Sequence, residues 1–86
     1  MDIKQVISNL RKHGIMAFQR YNQDFITVVH ESQEGAMLAE LDIDHNGWCL
    51  SAENGFELCY LERQFEDGDH KSICNALSEH YSYGED

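Results

Sequence analysis

Apolar residues Ile3, Val6, Ile7 and Leu10 recur at helical spacing and form one stripe at the start of the chain. Asp2 is placed to cap a helix there, with Gln5 positioned to return the bond. Arg11, Lys12 and His13 fall where the negative end of a helix dipole favours cations. Gly14 then supplies the left-handed residue that ends a helix. The pattern predicts a first helix over about residues 3–13.

The period changes after Gly14. IMAFQRY and FITVVH, rich in aromatic and β-branched residues, flank the short polar turn NQD and predict a hairpin. Residues 15–21 can also be read as loop, which leaves four strands instead of five. ESQEG reads as a second loop. AMLAELDID alternates, with Met37, Ala39, Leu41 and Ile43 on one side and Glu40, Asp42 and Asp44 on the other. Leu38 interrupts the acidic side. WCLSA and FELCYLER follow, each preceded by Asn-Gly. After EDGD, where Asp67 or Asp69 is available as a cap, Ile73, Cys74, Leu77 and Tyr81 return to helical spacing. The expected fold is α+β: an N-terminal helix, an antiparallel β-meander of four to five strands, and a C-terminal helix, with both helices on one sheet face. Residues 1–86 make one domain, and 82–86 are expected to be a flexible tail.

The segment DIDHNGWCLSAENG supports two incompatible readings. Asp42, Asp44, Asn46, Gly47 and Glu53 match the calcium-loop pattern D-x-D-x-N-G-x5-E. Two Asn-Gly pairs instead signal hairpin turns. As two-residue turns they set Asp44 opposite Cys49 and Glu40 opposite Glu53, then Ala52 opposite Glu57 and Cys49 opposite Tyr60. Trp48, Leu50, Ala52, Cys59 and Leu61 then join the apolar side of AMLAELDID, with Glu57 and His45 as misfits. Ser51, Glu53 and Glu62 join the acidic side, together with Leu38, Cys49, Phe56, Leu58 and Tyr60. Two independently placed turns agree on the buried side of the middle strand, and a one-residue slip would mix the faces. The calcium reading needs a helix leaving at Glu53, where Asn54-Gly55 stands instead, so the hairpins are expected.

Charge then changes the picture. The 86 residues carry a net charge of −10. Residues 1–20 hold four cations against Asp2 alone, whereas residues 21–86 hold fifteen acids against Arg63 and Lys71. Such a field repels nucleic acid and acidic membranes and attracts basic proteins. Direct nucleic-acid binding and membrane association are therefore not expected. The N-terminus lacks the apolar core of a signal peptide, and three cysteines without framework spacing fit a reducing, cytoplasmic setting.

No catalytic signature is present. His13, His30, His45, His70 and His80 form no ligand spacing for zinc. Cys59 and Cys74 fall on apolar sides and read as core, while Cys49 lies among carboxylates that oppose a reactive thiolate. No enzyme activity and no cofactor are expected. The candidate partner-binding residues are Glu40, Asp42, Asp44, Glu53, Phe56, Tyr60 and Glu62: a row of carboxylates beside aromatic anchors, as protein interfaces use. The alternative is a calcium site of Asp42, Asp44, Asn46 and Glu53.

The layout of a short N-terminal helix (DIKQVISNLRK), an acidic meander with Asn-Gly turns (LDIDHNGWCLSAENGFEL) and an acidic C-terminal segment resembles small phage-encoded inhibitors of host defence, the anti-CRISPR and DNA-mimic class. The resemblance covers layout and charge, and no site residues carry over from it. It implies a monomer or homodimer in the host bacterial cytoplasm. Such a protein blocks the basic, nucleic-acid-binding surface of an effector such as a CRISPR-Cas nuclease complex. An immunity-type or accessory protein for one dedicated basic partner would work by the same mechanism.

Overall fold

The structure is a computed structural model and describes residues 2–21, 24–32 and 35–81. The expected tail, 82–86, lies outside the described residues. The first apolar stripe forms α1, Ile3–Lys12, with Val6 and Leu10 buried. The Asp2 carboxylate caps it by accepting the Lys4 N–H at 3.0 Å. At the far end Gly14 adopts φ 83°. The Ile15 N–H reaches the Leu10 carbonyl at 2.9 Å, and the Gly14 N–H reaches that of Arg11 at 3.0 Å. These two bonds satisfy the last carbonyls of the helix and turn the chain into the sheet.

The fold is α+β, with five antiparallel strands in strictly sequential order. They are β1 (Met16–Phe18), β2 (Ile26–Ser32), β3 (Gly35–Asp44), β4 (Gly47–Ala52) and β5 (Glu57–Leu61). The segment read as strand or loop over 15–21 therefore contains a strand. The loop expected at ESQEG is shorter, because Ser32 already pairs with Gly35.

Neither Asn-Gly pair forms the expected two-residue turn. Asp44 lies opposite Gly47, so His45 and Asn46 are the loop. The Asp44 carboxylate holds it by accepting the Asn46 N–H at 2.7 Å and the Gly47 N–H at 3.1 Å. Each β3 residue meets a partner two places earlier than expected, which leaves the faces unchanged. The individual pairs do change: Glu40 lies opposite Ser51, not Glu53, and Asp42 opposite Cys49.

In the next hairpin Ala52 accepts the Gly55 N–H and donates to the Phe56 carbonyl, both at 2.8 Å. Gly55 at φ 88° closes a three-residue loop. Trp48, Cys49 and Leu50 meet Leu61, Tyr60 and Cys59 as expected. A bulge between Leu50 and Ser51 then sets Ser51 against Glu57, so the expected Ala52–Glu57 and Ser51–Leu58 pairs do not form. The bulge moves Glu57 off the buried face and packs Leu58 against the core beside Cys59.

The core lies between the inner sheet face and two helices. Ala39, Leu41, Trp48 and Leu50 pack with Val6 and Leu10 of α1 and with Ile73 and Leu77 of α2, Asp69–Tyr81. Phe65, in the connection to α2, tilts against Trp48 at 5.9 Å between ring centroids. Cys74, expected in the core, is exposed, and Ala76 takes the buried helical position. The cap of α2 points backwards: buried Asp69 accepts the Glu66 N–H at 2.6 Å, and its carboxylate also pairs with Arg63. His13 and His70 stack at 3.7 Å, which joins the end of α1 to the start of α2. Among the described residues no helix is long and apolar enough to cross a membrane.

Candidate functional site

Strand periodicity sends every second residue of the sheet away from the helices. On this outer face, Glu40 of β3 lies between Thr27 of β2 and Ser51 of β4, and Ser51 is followed by Glu57 of β5. One step along, Asp42, Cys49 and Tyr60 form the next row. Asp44 ends β3 and Glu62 follows β5, both exposed. The sheet thus gathers Glu40, Asp42, Asp44, Tyr60 and Glu62 of the expected site. Glu40 is half-buried and the other four are exposed.

Two expected members lie elsewhere. Glu53 occupies the β4–β5 loop, beyond the end of β4, and faces no strand partner. Phe56 is 62% exposed but sits beside Ala52, and its ring stacks with His80 of α2 at 5.8 Å. It belongs to the helix side, as Leu58 does. Glu57, expected as a misfit in the core, is a full member of the acidic face. The signal for it was present in the sequence, since Leu58 and Cys59 are adjacent apolar residues inside a strand, a pattern that a bulge resolves.

The same register separates the calcium pattern. Asp42 and Asp44 follow one strand, Asn46 is in the turn, and Glu53 lies past the far end of β4, roughly 20 Å along the strand at ~3.3 Å per residue. Strand β4 stands where a calcium loop would curl, and the Asp44 carboxylate already serves two backbone N–H groups. Among the described residues, no three His, Cys, Asp or Glu side chains gather as a metal set.

Chemically the face is acidic, and it holds one thiol, that of Cys49, among the described residues. The Cys49 Sγ lies 3.5 Å from Ser51 Oγ and donates to Glu57 Oε2 at 3.6 Å. Partial burial, then the carboxylates of Glu57 and Asp42, push this thiol up. Partial burial also raises Cys59. The Tyr60 hydroxyl is raised by desolvation against the sheet and by Glu62, Asp44 and Glu57 around it.

These shifts have a consequence for stability. A folded state that holds its protons more tightly than the unfolded chain is fully favoured below the ordinary thiol pKa of about 8.5. That advantage is lost as pH rises through the raised folded values. The urea midpoint is therefore expected to fall between about pH 8 and pH 10, and to fall less in a Cys49→Ser/Cys59→Ser variant. An equal fall in both proteins would contradict the assignment.

The other half of the outer face carries apolar residues beside Thr27 and Glu31, and the Arg20 guanidinium lies over the Phe18 ring at 6.0 Å. Met16 lies opposite Val29, which lies opposite Leu38, and Phe18 lies opposite Thr27. Met16 is 57% exposed, whereas Thr27, between Phe18 and Glu40, is only 2% exposed. Sequence reading missed this patch because it left the facing of the first two strands unassigned. Comparison with family models, curated proteins and solved structures finds no match to the chain.

Proposed function

We propose that the chain is a non-catalytic protein-binding inhibitor. Its acidic sheet face blocks a basic, nucleic-acid-binding surface of a bacterial defence effector, such as a CRISPR-Cas nuclease complex, in the bacterial cytoplasm. One observation supports this reading: Glu40, Asp42, Asp44, Glu57 and Glu62 share a face that no helix covers among the described residues, and the sequence holds no lysine or arginine between Arg20 and Arg63. A face evolved only for solubility mixes the two signs. Carboxylates two residues apart on a strand stand ~6.5–7 Å from each other, so the row offers a loose imitation of a phosphate backbone. Tyr60, 44% exposed among them, supplies an aromatic anchor of the kind that dominates interface energetics. The long-range field steers a basic partner and weakens with salt.

The test is capture from a bacterial lysate containing nuclease effectors, with wild type beside a Glu40→Lys/Asp42→Lys/Glu57→Lys/Glu62→Lys variant. Asp44 is left in place because it holds the turn. The expected result is a basic partner retained by wild type alone, released by competing DNA and by raised salt. A partner held equally by both proteins would refute the reading. A salt-sensitive partner that DNA does not displace would assign the same face to one dedicated basic protein.

A further inference from the structure

The outer face is divided. Met16, Phe18, Val29 and Leu38 make an apolar corner on β1, β2 and the start of β3, bordered by Glu31 and with Arg20 over the Phe18 ring at 6.0 Å. The carboxylates and Tyr60 occupy the end of β3 and the strands β4 and β5. Among the described residues both helices pack on the opposite face, against the core cluster. Resting on the proposed function, we propose that the partner's recognition element is a basic amphipathic helix. Its apolar stripe seats on Met16, Phe18, Val29 and Leu38, and its flanking lysines or arginines meet Glu40, Asp42 and Glu57.

Charge, width and the exclusion of other occupants select the helix. Charge complementarity requires a cationic partner, and the apolar corner requires that the same element also carry an apolar stripe. Five strands ~4.8 Å apart span about 19 Å, which accommodates one helix ~10–12 Å wide with its charged flank. An added strand is disfavoured at β1, because that edge strand is only three residues long and Arg11 Nε occupies the Ala17 carbonyl at 2.9 Å. A second copy of this chain on the face would set carboxylates against carboxylates at a net charge of −10 on each molecule.

The probes are two synthetic Leu/Lys peptides of about 14 residues with identical composition. One places leucines at i, i+3, i+4 and i+7; the other disperses them so that no stripe forms. Calorimetric titration is expected to give about tenfold tighter binding for the striped peptide, the effect of burying one or two apolar side chains. Met16→Gln/Leu38→Gln should remove that difference while leaving the dispersed peptide's affinity unchanged. Met16→Gln alone serves if the double variant loses its far-UV circular dichroism. Equal binding of both peptides to wild type overturns the helix proposal but leaves the acidic-face reading standing. Failure of both peptides to bind overturns both. Sedimentation showing a dimer that Met16→Gln dissociates would give the apolar corner to a second copy and overturn the proposal.

Discussion

Trp48→Ala is expected to destabilise the protein by about 3–5 kcal/mol. Trp48 is 1% exposed, lies between Ile43 and Leu61 on the inner face, and meets the ring of Phe65. Truncation opens a large cavity under the joint between β3, β4 and β5. Total stability for a chain of this length is roughly 4–13 kcal/mol, at ~0.05–0.15 kcal/mol per residue. The loss therefore takes a large share of it and lowers the melting temperature by at least about 12 °C. Far-UV circular dichroism in a thermal scan is the appropriate readout, since the variant loses its only tryptophan. Trp48→Phe is expected to cost much less. The indole N–H has no protein acceptor among the described residues, so phenylalanine gives up volume without giving up a hydrogen bond. A Trp48→Phe variant as unstable as Trp48→Ala would contradict this account.

Gly47→Ala is the second large effect, at about 3 kcal/mol or more. Gly47 has φ 151°, which L-residues rarely adopt. A methyl group there would also run into the Leu61 carbonyl and come within 2.9 Å of the Glu62 Cα. Both atoms are backbone, so the strain cannot be relieved by turning a side chain. The end of β5 must move, and Tyr60 and Glu62 move with it, so on the proposed function the affinity for a basic partner is expected to fall together with the urea midpoint. Gly55→Ala provides the contrast. Gly55 also has positive φ, 88°, but nothing lies within 4 Å of an added Cβ. Only the left-handed conformation is penalised, at about 1 kcal/mol. Equal losses in the two variants would rule out the close approach of β5 as the cause.

Gly47 also explains what was and was not legible in the sequence. Helix α1 was readable almost to the residue, because its stripe, its Asp2 cap and its Gly14 stop are local features. The faces of β3 and β4 were readable although the turn was misplaced. An error of two residues restores the alternation, and only an odd error destroys it. The turn itself was misread because Asn46-Gly47 looks like a loop pair. Asp44 instead closes the turn around His45 and Asn46, and the glycine is required by β5, a distant neighbour that no local pattern reveals. The bulge after Leu50 is different, because the adjacent apolar pair Leu58-Cys59 signals it locally; it exchanged Phe56 and Leu58 for Glu57 on the acidic face. The acidic face was therefore legible in its charge and in most of its members. Its apolar corner depends on how β1 and β2 pair, which the sequence leaves open.

The sequential strand order governs how the chain reaches this structure. Each strand pairs only with its neighbours in the chain, so every closure in the sheet spans a short loop and carries a small entropic penalty. The chain contains no proline, so the slow isomerisation that delays many proteins cannot contribute. Refolding should then be one fast phase, on the order of milliseconds to tens of milliseconds, with no slow-folding fraction. The meander thus sets the delay between synthesis and the appearance of the acidic face.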